Sequence, residues 1–213
     1  FDFPINSTGS LGKVSLNIFS AVKDKMFGKA DNNGNDNTHK FIYVPVINEI
    51  TGRTWLNNNL GANYANTQSN DDFNPTQQAK SSADYKSYGS LFQWGRKADG
   101  HELIEWTGET NGTGSENSDI NDNAPTHAMF ITEEDEPTDW RIDQNNTLWK
   151  NEASENNVCP KGYRLPTAGV DNANMEWDLE INSWNINNLE NHDDTNSSHA
   201  LQSNLKLPLA RYH

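Results

Sequence analysis

Cysteine is nearly missing from this chain. Cys159 is the one thiol among 213 residues, so no internal disulfide can form and a disulfide-stapled small module is excluded. A domain this long holds together without such staples, so export stays open. Basic residues are scarce too: 16 face 30 acidic ones, for a formal net charge of -14. No Lys/Arg cluster supplies the basic face that displaces phosphate counterions, so neither nucleic acid nor an anionic membrane surface is an expected partner. No apolar run approaches the length of a membrane span, and no signal peptide is visible. A first residue Phe1 rather than Met is expected of a processed chain or an excerpt. Apolar residues make up only 33% of the chain, yet 7 Trp, 6 Tyr and 8 Phe remain to anchor a core. Disordered chains are poor in such residues, so a folded, loop-heavy domain is expected.

Familiar catalytic motifs are lacking as well. There is no Gly-x-Ser-x-Gly elbow, P-loop or dinucleotide fingerprint. His101-Glu-Leu-Ile-Glu opens like a zinc-protease helix, but Glu105 stands where the second His is needed. His192, Asp193, Asp194 and His199 match no metal-ligand spacing and read as a solvated loop. Among so many acids some pair lies at glycosidase distance by accident, so acid abundance is no argument for that chemistry. Cys159 adjoins Pro160 with no His nearby to activate it, and reads as a buried structural residue. The sequons at Asn6, Asn111, Asn145 and Asn196 are expected by chance in so Asn-rich a chain.

Along the chain, residues 1–40 read as an arm or linker. Within them Asp31-Asn-Asn-Gly-Asn-Asp-Asn resembles a calcium loop, but Ile42 stands where an EF-hand needs Glu. Phe41–Ile47 is β-branched and aromatic and predicts a strand, with Pro45 forcing an edge or a bulge. A turn over Asn48–Gly52 and a second strand at Arg53–Leu56 would complete a hairpin. Asp84–Lys97 carries Tyr85, Tyr88, Leu91, Phe92 and Trp94 at helical spacing and predicts a helix. Thr107–Asp139 is a long polar connection broken by Ala128–Ile131. Residues 175–184 fit a strand or a helix equally well by pattern. Leu205–Leu209 alternates like a strand.

Several segments together resemble the Fibrobacter succinogenes major paralogous domain family over roughly residues 41–213. They are Gly52-Arg-Thr-Trp-Leu-Asn-Asn-Asn-Leu-Gly, Tyr88-Gly-Ser-Leu-Phe-Gln-Trp-Gly-Arg-Lys-Ala-Asp-Gly-His and Cys159-Pro-Lys-Gly-Tyr-Arg-Leu-Pro-Thr. Asp139-Trp-Arg, Asn146-Thr-Leu-Trp, Glu176-Trp and Leu205-Lys-Leu-Pro-Leu follow in the family's order. The resemblance implies an α+β, C-type-lectin-like fold akin to formylglycine-generating enzymes. Two helices, at Tyr85–Lys97 and Asn174–Trp184, would pack on a twisted, mainly antiparallel sheet with long irregular loops. Two departures stand out: an inserted loop after Thr167, and the absence of the family's last strands, so 41–213 is expected to be C-terminally incomplete. Trp55, Tyr88, Trp94, Tyr163, Arg164 and Trp177 read as structural, with Arg164 clamping a carboxylate or carbonyls.

The functional expectation is a non-catalytic, secreted or cell-surface bacterial module for binding or adhesion, with a glycan or surface protein as partner. The alternatives are a structural spacer within a larger surface protein and, against the single Cys, a lectin-fold oxidase-like enzyme. Aromatic faces beside amides and Arg suit sugars, so Trp106, Trp140, Arg141 and Trp149, which border the long polar stretch, are the candidate exposed ligand-binding residues. Calcium is the candidate cofactor, with Asp119, Asp122, Glu133, Glu134 and Asp135 as hard oxygen ligands.

Overall fold

The computed structural model describes residues 20–132, 139–168, 175–184 and 197–209. These form an α+β arrangement of four two-stranded ladders and two short helices linked by long irregular segments. β1 (Val22–Lys23) pairs antiparallel with β2 (Ile42–Tyr43), and β3 (Pro45–Asn48) with β4 (Arg53–Leu56). β5 (Glu105–Trp106) pairs antiparallel with β6 (Gly112–Thr113), whereas β7 (Asn117–Ser118) and β8 (Phe130–Ile131) are parallel. The helices are α1 (Glu176–Trp184) and α2 (Ser197–Gln202). One continuous twisted sheet, expected from the resemblance, is not formed among the described residues.

The predicted hairpin is present. Gly52 closes its turn at φ 68°, a backbone region that suits glycine, and donates its N–H to Asn48 O at 2.8 Å. Asn57 N–H donates to Val44 O at 3.0 Å, which sets the parity of the ladder. Hydrogen-bonded pairs alternate, so 44/57, 46/55 and 48/53 bond across the hairpin. Pro45, Ile47, Thr54 and Leu56 then turn their backbone groups outward. Pro45 therefore sits where its missing N–H costs no ladder bond.

Three expectations need correction. Asp84–Lys97 is not an α-helix: only Tyr85–Ser87 makes a 3-10 turn. Gly89 and Gly95 hold φ near 80°, and Ser90 and Leu91 spend their N–H groups on Leu60 O and Glu102 O, so tertiary bonds win over helical periodicity. Leu205–Leu209 forms no strand; Lys206 takes φ 47°, and Leu209 N–H reaches Ser82 O. The segment 22–40 is no detached arm, since β1 joins β2 and His39 is buried. Its Asp31 carboxylate accepts the N–H groups of Asn33 and Asn35, both at 2.9 Å, an Asx-type turn that directs the charge inward onto its own loop. Residues 1–19 lie outside the described residues.

The ambiguous segment 175–184 is helical. Glu176 and Asp178 favour the positive end of the helix dipole. Thr167 Oγ1 accepts the Glu176 N–H at 3.1 Å while its own N–H reaches Glu176 Oε2 at 3.0 Å. Among the described residues the core is divided into three small clusters: Trp149 with Ala98, Val158 and Cys159; Tyr43 with Phe41 and Ala65; and Trp140 with Ile131 and Leu148.

Candidate functional site

β4, the loop Tyr163–Pro166 and the start of α1 enclose an open cleft of about 560 Å³. Its walls carry Trp55, Tyr163, Trp177, Arg53, Arg164 and Glu176, with Leu205 and Leu207 at one side. Trp55 and Trp177 meet edge to face at 5.8 Å between ring centroids. The cleft exists because the hairpin is clamped to α1. Asn48 Nδ2 donates to Glu180 Oε1 and Ser183 Oγ, both at 2.8 Å. Trp55 Nε1 donates to Glu180 Oε2 at 2.8 Å, Trp184 Nε1 to Oε1 at 3.1 Å, and Thr51 Oγ1 to Oε2 at 3.3 Å. Glu180 is fully buried, and four neutral donors replace its water shell.

At the cleft mouth Glu176 binds both arginines. Arg164 grips it bidentately, Nη1 to Oε2 at 2.6 Å and Nη2 to Oε1 at 2.7 Å, as expected of a carboxylate clamp. Arg53 Nη1 adds a bond to Oε1 at 2.6 Å. The hydrogen-bonded Arg164 guanidinium outweighs partial burial, and with the Thr167 N–H and the Arg53 charge it pulls the Glu176 pKa down to about 2. Cys159 also lines the cleft; burial pushes its thiol pKa up to about 11, which keeps it protonated near neutrality.

Trp106, Trp140 and Trp149 are all buried, which corrects the expectation of an exposed recognition surface. Each indole N–H is spent on a backbone carbonyl: Trp106 on Gly89 at 2.7 Å, Trp140 on Trp94 at 2.7 Å and Trp149 on Arg96 at 3.2 Å. They pin irregular loops that have no ladder of their own to satisfy those carbonyls. Trp140 and Arg141 do border a second cleft of about 560 Å³. The guanidinium groups of Arg141 and Arg96 lie 5.3 and 6.0 Å from the Trp140 ring, so the stacking position is taken by this protein's own cations. Trp94, placed by the sequence on the apolar face of a helix, is 66% exposed, because the turn at Gly95 takes the place of that helix.

Asp119 and Asp122 are exposed and belong to no metal-compatible group among the described residues. Asp122 accepts the Ala124 N–H at 3.0 Å. Glu133, Glu134 and Asp135 lie outside the described residues, as do His192, Asp193 and Asp194. A group that sequence reasoning missed is Asp99, His101 and Glu102, all buried, whose ligand atoms lie within 4.8 Å of one another and could hold a metal ion. They belong to a longer buried polar chain. Asp24 Oδ1 lies 3.5 Å from His39 Nδ1, His39 Nε2 lies 3.1 Å from Glu102 Oε1, and Glu102 Oε2 lies 3.3 Å from His101 Nδ1. His101 Nδ1 contacts Asp99 Oδ1 at 2.7 Å, and Arg96 Nε donates to Asp99 Oδ2 at 3.1 Å. Gln93 N–H donates to His101 Nε2 at 3.1 Å, which leaves Nδ1 as the protonated ring nitrogen facing Asp99. Metal binding through Nδ1 would displace that proton.

Burial alone would lower the His39 pKa, but the carboxylates of Asp24 and Glu102 overcome it and raise the value to about 9. Burial likewise favours neutral Asp99, yet the His101 and Arg96 donors hold its pKa below the ordinary carboxylate value. The signal available in sequence was the density of ionisable residues in Arg96-Lys-Ala-Asp-Gly-His-Glu; such a run predicts a solvated turn unless its partners His39 and Asp24 are known.

No family model, no curated protein and no solved structure matches this chain.

Proposed function

We propose that this chain is a non-catalytic binding or adhesion module of lectin-like type, working at a bacterial surface or in secreted form, with its ligand site in the β4–α1 cleft. The observation that carries the reading is the cleft itself. It is concave, has Trp55, Tyr163 and Trp177 in its walls, and has polar side chains on a hydrogen-bonded frame. Preformed sites of this size with few fixed polar groups suit binding. The reading moves the ligand site away from Trp106, Trp140 and Trp149. The resemblance to the Fibrobacter paralogous domains supports the surface location.

Burial of those three tryptophans favours a second reading, a structural spacer that displays another domain. A calcium requirement is the finer cofactor reading. Its support is the two hard carboxylate ligands Asp99 and Glu102 in the buried group that could hold a metal ion.

The deciding experiment screens the purified chain on a glycan array and against candidate surface proteins, with and without calcium. Binding lost in Trp177→Ala with the circular dichroism spectrum preserved supports the cleft. Absence of any binding that depends on Trp177 favours the spacer.

A further inference from the structure

Among the described residues no strand pairs with the β4 edge that faces away from β3. The parity of the hairpin turns the N–H and C=O of Thr54 and Leu56 away from β3. Neither residue's backbone makes a bond on that side among the described residues. The whole strand, Arg53–Leu56, lines the cleft together with Gly52 of the turn before it. An unpaired strand edge is a template for another strand. Here it lies against a largely apolar cleft rather than on an open face.

The charge of the cleft selects what can lie there. Arg53 and Arg164 against Glu176 leave a local balance of +1 among the lining residues, in a chain whose net charge is -14. Arg53 Nε is buried and has no hydrogen-bond partner. Asn58, another lining residue and 93% buried, donates Nδ2 to Gln77 O at 2.7 Å and leaves its Oδ1 unpaired. Unmet donors and acceptors at a buried wall cost free energy until a ligand supplies their partners.

We infer that the cleft takes an extended peptide segment of another protein, with apolar and acidic residues on one face of the segment at every second position, added as a strand to the β4 edge. Main-chain bonds to Thr54 and Leu56 would supply the affinity. Apolar side chains entering beside Trp55, Trp177 and Leu207, with a carboxylate against Arg53 or Arg164, would supply the selectivity. This inference rests on the cleft reading above and chooses a protein over a glycan as its occupant.

The test selects the purified chain against a displayed library of eight-residue peptides with apolar and acidic residues at every second position, on one face, and serine between them. A matched library carries lysine at the acidic positions. Binders are expected from the first library and not from the second. A synthetic binder should slow amide exchange at Thr54 and Leu56 by about tenfold or more, and N-methylation of its alternate residues should weaken binding by about tenfold or more. Thr54→Pro removes the outward N–H while leaving the β3 bonds intact, and should abolish binding without altering the circular dichroism spectrum. The peptide-side N-methylation keeps the test independent of that variant's folding. Binders that leave Thr54 and Leu56 exchange unchanged, or equal yields from the lysine library, overturn the inference. If no peptide binds but a glycan does, and Trp177→Ala removes it, strand addition falls and the cleft reading stands. If nothing binds in a Trp177-dependent way, both fall.

Discussion

Trp55 donates its indole N–H to Glu180 at 2.8 Å, and this one bond ties the middle of β4 to the middle of α1. Glu180 has no exposed surface and its side-chain donors among the described residues are all neutral, so each carries part of the carboxylate's solvation. Trp55→Phe keeps much of the ring but removes a donor, leaving Oε2 with the longer Thr51 contact of 3.3 Å. The expected loss is about 1–3 kcal/mol in urea unfolding. Thr51→Val is expected to cost less. Equal costs would show that the indole bond contributes nothing special.

His39 makes stability depend on alkaline pH. Its pKa rises from 6.5 in the unfolded chain to about 9 in the fold, so the folded state binds the proton more tightly. That contribution is complete below about pH 6.5 and is lost as pH rises through 9. Its size is on the order of 3 kcal/mol. The urea midpoint is therefore expected to fall between pH 6.5 and 9 in the parent protein. In His39→Gln the midpoint should be lower at pH 6 and nearly flat across the same window.

Glu176 acts at the other end of the pH scale. Its folded pKa is held at about 2, against 4.5 for the free side chain. The associated stability is present above pH 4.5 and is lost as pH falls through about 2. Arg164→Lys replaces a bidentate fork by a point charge. Carboxyl-carbon NMR titration should then find the Glu176 pKa shifted up toward the ordinary carboxylate range. An unchanged value would assign the depression to Arg53 and the Thr167 N–H alone.

Gly89 holds φ 81°, and a Cβ there would run into the Leu60 carbonyl. That carbonyl accepts the Ser90 N–H at 2.7 Å, so it cannot retreat without breaking a bond. Gly89→Ala is expected to cost about 2 kcal/mol or more, from strain and the lost close approach together. Gly28→Ala, at φ 75° with open space around it, should cost only the conformational part, about 1 kcal/mol. Thermal unfolding of the pair separates the two contributions.

The hairpin was legible in sequence because its signals are local: β-branched residues, a Gly turn and a proline at the outward position. The Arg164 clamp was legible too, since a planar fork near a helix start has few other uses. Asp84–Lys97 misled because its aromatic residues at helical spacing pack on different partners instead of one face. Tyr88 packs on Trp106, Phe92 on Trp149 and His101, and Trp94 on Trp149. Periodicity cannot distinguish these arrangements, since the glycines at 89 and 95 redirect the chain between contacts. The Trp55–Trp177 wall joins residues 122 positions apart, and the His39–Glu102 contact spans 63. Neither distance has a local signature, so neither the cleft nor the buried polar chain is legible in the sequence.

Asn57, Asn58 and Asn59 donate their side-chain amides to Pro75 O, Gln77 O and Tyr88 O in turn, and Asn156 and Asn157 do the same for Gly95 O and Tyr163 O. Ties of this kind join points rather than registers. A ladder transmits an inserted residue along its whole length, but a loop held at its two ends by amides absorbs one between them at a small entropic cost. The lengths of such loops can thus change at smaller cost than the loss of an anchoring amide. These asparagines thus fix where the loops are held without fixing how long they are.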